Sequence, residues 1–86
     1  MAQQIREALV ILRRHQVEAR TGLSRSTIYK FMSEGRFPKP VRIGVRAVGW
    51  NSSSVEAVNA ARIAGKTDAE IRALVLKLET ARKAAA

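Results

Sequence analysis

The sequence contains no cysteine and no long hydrophobic run. Without cysteine, the chain can form no disulfide, no thiolate metal site and no cysteine nucleophile, and a reducing compartment suits it best. Its longest apolar stretch, Ala8 to Leu12, lies between charged residues and is far shorter than the roughly 20 residues of a membrane-spanning helix. We therefore expect no membrane segment and no secretory signal, and a cytoplasmic, nucleoid-associated location.

Acidic residues are also scarce, with 7 Asp and Glu against 16 Lys and Arg, and the formal charge is +9. Most of the excess lies between positions 13 and 46, where 9 basic residues against 2 Glu leave +7. This imbalance favours a polyanionic partner, nucleic acid first of all, whose binding would weaken steeply with salt. A chain of 86 residues supports only one small core, which leaves little room for an enclosed active site.

Catalytic and metal-binding motifs are missing as well. His15 is the only histidine and has no second ligand near it, so a place at a helix start or against a phosphate is favoured over a metal or general-base role. The sequence offers no nucleophile with a base and no phosphate-cradling glycine loop. We therefore expect no enzymatic activity and no cofactor.

Two short helices joined by a tight turn are predicted between positions 15 and 34. Gly22 follows a helical stretch from His15 to Thr21 and supplies the left-handed conformation that ends a helix. Ser24 can cap a second helix, expected from about Arg25 to Glu34, by accepting hydrogen bonds from the backbone. This spacing is typical of a helix-turn-helix, in which an inner apolar seam leaves the outer face of the second helix free for a DNA major groove.

Segments on either side of these helices indicate short strands. Pro38 and Pro40 force an extended path. The alternating apolar and basic residues from Val41 to Trp50 then predict a hairpin that turns near Gly44 to Arg46. The apolar run before the first helix, Ala8 to Arg13, fits either a short strand or a helical turn. The fold class is therefore mainly α with a small β-hairpin, a winged helix-turn-helix with an extra C-terminal helix.

Two further helices are predicted after the hairpin. The capping cluster Asn51 to Ser54 begins a third helix, which stops near Gly65. Its apolar side chains are expected to be Val55, Val58 and Ile63. Thr67 and Glu70 form a capping box that begins a fourth helix. The apolar stripe of that helix is Ile71, Leu74, Val75 and Leu78. This stripe needs a partner, either the domain's own core or a neighbouring protomer.

The outward face of the second helix and the hairpin carry the candidate DNA contacts. These candidates are Arg25, Ser26, Thr27, Tyr29 and Lys30 on the helix, and Arg42 and Arg46 in the hairpin. Arg25 ranks highest because an arginine can make a bidentate bond to guanine, whereas the others can reach bases or phosphates. The plainer alternative is a solvated helix face and a strand edge that basic residues keep soluble. Trp50 is expected to anchor the core rather than to stack on a base.

The residues ILRRHQVEARTGLSRSTIYKFMSEGRFPKPVRIGVRAVGWNSSSVEA resemble the AlpA family of prophage regulators, which have a MerR-like winged helix related to phage excisionases. The resemblance runs from Ile11 to about Arg62, and its most specific parts are TGLSRSTIY, EGRFPKPVRIG and VGW. It implies that the second helix enters the major groove and the wing the minor groove. It also implies that Arg36 and Lys39 contact phosphates and that Arg46 lies at the wing tip.

The expected organisation is an N-terminal extension at 1–10, a DNA-binding domain at 11–65 and a C-terminal helix at 66–86 that could serve oligomerisation. The resemblance implies binding of double-stranded DNA from a prophage or integrative element, as an excisionase, a transcriptional regulator or both. We expect self-association on repeated DNA sites, with an integrase as a candidate partner and no membrane partner. The alternative is a protein-interaction module, an anti-repressor or integrase partner, whose basic surface binds an acidic protein.

Overall fold

Four helices and three short strands make up the described part of the chain. The computed structural model describes residues 10–85, with side chains as far as Arg82, so the N-terminal extension expected at 1–10 lies outside the described residues except for Val10. In chain order the elements are β1 (Ile11–Leu12), α1 (Arg14–Thr21), α2 (Arg25–Ser33), β2 (Val41–Arg42), β3 (Val48–Asn51), α3 (Ser52–Ile63) and α4 (Asp68–Ala85). Within residues 10–85, helices dominate and the strands form one small antiparallel sheet, which confirms the predicted fold class.

Local chemistry places α1 and α2 where the sequence predicts them. Gly22 ends α1 with a φ of 73°, in the left-handed region that favours glycine. Ser24 then caps α2, because its Oγ accepts a hydrogen bond from the N–H of Thr27 at 3.2 Å. Val17 of α1 and Ile28 of α2 are fully buried in the same core cluster. The predicted helix-turn-helix is therefore confirmed.

The sheet has the strand order β1-β3-β2, with both pairings antiparallel. The apolar run before α1 therefore contributes a strand, and Leu12 of β1 lies opposite Trp50 of β3. On the other edge, Val41 of β2 lies opposite Gly49 of β3. A Cβ atom at Gly49 would overlap the Cγ2 atom of Ile11, so the glycine leaves room for that side chain across the sheet.

The core lies between the sheet and the helices. Its buried apolar side chains are Leu12, Val17, Ile28, Phe37, Trp50, Val55, Val58, Ile71 and Val75. Trp50 is 1% exposed, and its indole Nε1 donates a hydrogen bond to the carbonyl oxygen of Pro38 at 3.0 Å. This bond satisfies the polar atom of the ring inside the core. The expectation that Trp50 anchors the core is confirmed.

One apolar residue of α3 is not in the core. Val55 and Val58 are fully buried as expected, but the side chain of Ile63 is 88% exposed. A helix advances 3.6 residues per turn, so the buried stripe that begins at Val55 and Val58 continues through Ala61, which packs against the core. Ile63 lies off this stripe, so it does not join Val55 and Val58 in the core.

The last helix, α4, packs on its own chain. Its start is fixed by the predicted capping box, in which the Thr67 N–H donates to the Glu70 carboxylate at 3.0 Å and the Glu70 N–H donates to Thr67 Oγ1 at 3.2 Å. Ile71 and Val75 are buried in the common core. The apolar stripe of α4 thus covers the domain's own core, the first of the two arrangements that the sequence left open.

Candidate nucleic-acid interface

The outer face of α2 is exposed and polar. Arg25, Ser26, Tyr29 and Lys30 all reach solvent, while Ile28 holds the opposite face of the helix in the core. The guanidinium carbon of Arg25 lies 5.9 Å from the centroid of the Tyr29 ring, within the range of a cation–π contact. The four residues expected to form the recognition face therefore lie side by side on one surface.

Thr27, the fifth candidate on this helix, is half-buried and belongs to the cap. Its hydroxyl oxygen accepts a hydrogen bond from Ser24 Oγ at 2.9 Å, and its N–H donates back to the same serine oxygen. These bonds fix the first turn of α2, on which the direction of the Arg25 side chain depends. Thr27 therefore acts on the interface by holding the first turn of α2 in place.

The hairpin between β2 and β3 forms the wing. Its turn is closed by hydrogen bonds from the N–H groups of Ile43 and Gly44 to the carbonyl oxygen of Ala47, at 2.9 and 3.2 Å. Arg42 and Arg46 flank this turn and are exposed. The turn therefore presents two guanidinium groups at one end of the sheet, as the sequence predicts.

Acidic side chains are absent from both α2 and the wing. Among residues 10–85 the acidic residues are Glu18, Glu34, Glu56, Asp68, Glu70 and Glu79. Each of them accepts a hydrogen bond from another group of the chain. The four basic residues Arg25, Lys30, Arg42 and Arg46 form no ion pair with any of these carboxylates. The surface made by α2 and the wing therefore has an uncompensated positive charge.

Arg36 occupies a different environment from the other candidates. Its guanidinium binds the carboxylates of Glu34 and Asp68, the latter at 3.3 Å, and lies 4.1 Å from the centroid of the Phe31 ring. Its side chain is only 16% exposed. The hydrogen bond from Arg36 lowers the pKa of Glu34, and the same bond raises the pKa of Arg36. This guanidinium is engaged inside the protein, where it joins the end of α2 to the start of α4.

Further arginines support the C-terminal end of α2. Arg72 Nε of α4 donates to the carbonyl oxygen of Glu34 at 3.0 Å, and Arg62 of α3 donates to the carbonyl oxygen of Arg36 at the same distance. Burial, followed by the nearby charge of Arg36, lowers the pKa of Arg62. These contacts could not be predicted from the sequence, because the partners lie 26 to 38 positions apart.

Lys39 lies in the connection between α2 and the wing. Its backbone N–H donates to the Glu79 carboxylate at 2.9 Å, and its carbonyl oxygen accepts from Arg82 at 2.9 Å. Both partners belong to α4, which thereby holds the proline-flanked segment from its backbone. The Lys39 residue itself is exposed, so its ammonium group is presented to solvent beside the wing.

The start of α1 also faces the surface made by α2 and the wing, and of its residues the sequence pointed only to His15 as a possible phosphate contact. Arg13, Arg14 and His15 line an open cleft together with Tyr29 of α2 and Arg46 of the wing. For the two arginines, the hint in the sequence was the high basic charge between positions 13 and 46, which includes both of them. The helix α1 begins at Arg14, one residue before the expected start at His15, and His15 lies in this cleft.

Other kinds of site find no support in the part of the chain that the structure describes. Within residues 10–85, no three His, Cys, Asp or Glu side chains lie close enough to hold a metal ion. None of the helices between positions 10 and 85 combines the length and the hydropathy needed to cross a membrane. The features that remain are the basic face of α2 and the basic wing.

Comparison with known proteins agrees with the resemblance seen in the sequence. Residues 10–62 match the family model of the prophage CP4-57 regulatory protein, AlpA. An uncharacterised protein, ORF88, of Enterobacteria phage P4 is 51% identical over 45 residues, which is 52% of this chain and 51% of that protein. The DNA-binding transcriptional activator AlpA of Escherichia coli K12 is 35% identical over 57 residues, 59% of this chain and 81% of that protein. The matched part thus spans about half the length of the phage relative. Since the family model covers more than half of the chain, this protein belongs to the AlpA family of prophage regulatory proteins.

Proposed function

We propose that this protein is a sequence-specific regulator that binds double-stranded DNA of a prophage or integrative element. The observation that carries the proposal is the exposed face of α2, where Arg25, Ser26, Tyr29 and Lys30 stand together without an acidic neighbour on the helix. The Escherichia coli relative is a DNA-binding transcriptional activator, which supports the same class of function.

The dimensions of DNA suit the two basic elements. A major groove about 12 Å wide admits an α-helix, so we assign α2 to it as the recognition helix. The wing is narrow and has exposed arginines at its turn, so we assign it to the adjacent minor groove, whose negative potential attracts arginine. The core side chains Val17 and Ile28 hold α2 rigidly, which gives its outer face one fixed orientation toward the bases.

Individual roles follow from the environment of each residue. Arg25 has the reach and geometry for a bidentate bond to guanine, and Ser26, Tyr29 and Lys30 lie close enough to contact bases or phosphates beside it. Outside α2, we assign phosphate or minor-groove contacts to Lys39, Arg42 and Arg46. Thr27 and Arg36 are positioning residues in this proposal, because their polar atoms are engaged in the cap of α2 and in its junction with α4.

The biological outcome that we propose is transcriptional regulation, excision of the element, or both. Several protomers bound side by side on repeated sites would bend the duplex, at a cost of about 1 to 6 kcal/mol for a smooth bend, and additional phosphate contacts would offset that cost.

The side chains of Ile63 and Leu76, which are 88% and 66% exposed, supply apolar area for contacts between protomers or with an integrase. Footprinting across the locus distinguishes the arrangements, since phased blocks favour an assembling excisionase and one palindrome favours a dimeric regulator.

A gel shift with duplex DNA from the protein's own locus tests the proposal. The wild type should bind this duplex in the presence of unrelated competitor DNA. Arg25→Ala should weaken specific binding by about 1 to 3 kcal/mol and relax the sequence preference. Arg20→Ala is the matched control, because Arg20 has the same charge but pairs with Glu56 of α3 at 3.3 Å. An Arg25→Ala protein with unchanged preference would remove Arg25 from the reading face, and a wild type that ignores DNA but binds an acidic protein would refute the proposal.

A further inference from the structure

The first residues of α1 face α2 and the wing across an open cleft. The side chains that line it are Arg13, Arg14, His15, Tyr29, Arg46 and Val48. The cleft is open to solvent and has a free volume of about 330 Å³. This is many times the roughly 30 Å³ that one water molecule occupies, so a phosphate with its sugars is not excluded sterically. Separate parts of the fold thus contribute to one hollow beside the recognition helix.

The cleft has a net positive charge. Arg13 precedes α1, is exposed, and makes no side-chain hydrogen bond to the helix that it caps. Arg14 is bound to Glu18 of the same helix, and Arg46 has no carboxylate partner among the side chains that the structure describes. Three arginine charges against one glutamate charge leave an excess that favours an anion.

The geometry of duplex DNA indicates which anion. One sugar–phosphate strand separates each major groove from the neighbouring minor groove. If α2 occupies the major groove and the wing occupies the minor groove, this strand must pass between α2 and the wing. The cleft lies in that position, because Tyr29 of α2 and Arg46 of the wing both line it. A strand in that position would bring its phosphates to Arg13 and His15 at the start of α1.

We propose that this cleft is a binding site for a backbone phosphate of the DNA strand that runs between the recognition helix and the wing. Arg13 and Arg46 bind the phosphate oxygens from two sides, and His15 and the Tyr29 hydroxyl add further donors. The inference rests on the proposed function, but it adds a part of α1 to an interface that otherwise consists of α2 and the wing. The site fixes the register of the protein along the duplex and reads no sequence.

A phosphate contact has a signature that separates it from base recognition. Neutralising one phosphate of B-DNA changes the slope of the logarithm of the binding constant against the logarithm of salt concentration by about 0.9. Removing Arg13 should therefore weaken binding to every duplex alike and make the dependence on salt shallower. Removing a base-reading residue should instead change the preference among sequences.

The test measures binding of the full chain to a labelled duplex from its locus and to an unrelated duplex, by fluorescence anisotropy at several salt concentrations. Arg13→Ala leaves the backbone bond from the Arg13 N–H to Gln16 Oε1, 2.8 Å long, in place, so α1 keeps its cap. Arg46→Ala probes the wing side of the cleft. Arg20→Ala is again the control, because it removes the same charge from the other end of α1. Thermal unfolding of each variant verifies that it is folded.

Arg13→Ala and Arg46→Ala should each reduce affinity roughly tenfold for both duplexes and reduce the salt slope by about 0.9, with the ratio between duplexes unchanged. Arg20→Ala should keep the wild-type slope. If the wild type binds DNA but Arg13→Ala has the slope and affinity of Arg20→Ala, the cleft holds no phosphate, while the proposed function stands. If Arg13→Ala alters the preference between the duplexes, the cleft reads sequence and the inference is equally overturned. A wild type that does not bind DNA refutes the proposed function itself.

Discussion

Truncation of Ile71 to alanine tests whether α4 belongs to the same cooperative unit as the helix-turn-helix. The Ile71 side chain is 2% exposed and lies in the cluster that also contains Ile28 of α2. An Ile→Ala change at a buried site costs about 2 to 5 kcal/mol, the lost transfer free energy plus the cavity. A small domain has only about 5 to 15 kcal/mol of unfolding free energy, so this change should remove a large part of it. Leu76→Ala is the matched control, since Leu76 is 66% exposed on the same helix and its truncation should cost under about 0.5 kcal/mol.

Thermal unfolding followed by two signals provides the assay. Circular dichroism reports the unfolding of all helices. Fluorescence reports the environment of Trp50, which is buried in β3 and bonded to Pro38 in the segment before the wing. At this chain length each kcal/mol lowers the melting temperature by about 4 to 8 °C. The melting temperatures from both signals should fall together in Ile71→Ala and should hardly change in Leu76→Ala. If Ile71→Ala lost helical signal while the Trp50 transition kept its wild-type midpoint, α4 would be a separate unit and the reasoning would fail.

Two further predictions concern the start of α2 and the response to acid. Ser24→Ala removes the cap that binds the Thr27 N–H, and it should destabilise the protein by about 0.5 to 2 kcal/mol in urea unfolding. Ser33 is an exposed serine in the last turn of α2, and Ser33→Ala should change the unfolding free energy by no more than about 0.5 kcal/mol. Equal effects of the two substitutions would contradict the role of the cap. The backbone bond from Thr67 lowers the pKa of Glu70, and the bond from Arg36 lowers that of Glu34. A lowered carboxyl pKa gives stability above the ordinary value of 4.5 that is lost as the pH falls through the folded-state value, so the melting temperature should fall as the solution is acidified below pH 4.5. Glu70→Gln keeps an acceptor for the cap but cannot titrate, and its melting temperature should fall less over this range; an identical fall would argue against the linkage.

Much of the fold could be predicted because the residues that begin and end its helices act on nearby backbone groups. Gly22 with Ser24, and Thr67 with Glu70, act on backbone groups within four positions, so their chemistry is readable from the sequence alone. The exposed face of α2 follows from the same helix boundaries and the 3.6-residue period, which puts Ile28 inside and Arg25 outside. The helix boundaries and the exposed face of α2 could therefore be predicted without knowledge of tertiary contacts.

The remaining features depend on contacts between distant positions. Strand β1 exists because Leu12 lies opposite Trp50, and a run as short as the one around Leu12 has no period that separates strand from helix. Arg36 is basic and close to α2, but the pairing with Asp68, 32 positions away, draws it into the protein. The cleft at Arg13 likewise needs the wing to fold back toward α1.

Methylation protection of guanine N7 tests the central claim most directly, because this atom lies in the major groove and is where Arg25 is proposed to bind. On a duplex from its own locus, the wild type should protect a guanine in each bound site, and Arg25→Ala should restore the reactivity of that guanine while Arg20→Ala leaves it protected. A protein that binds the duplex with every guanine N7 still reactive would show that α2 does not read the major groove.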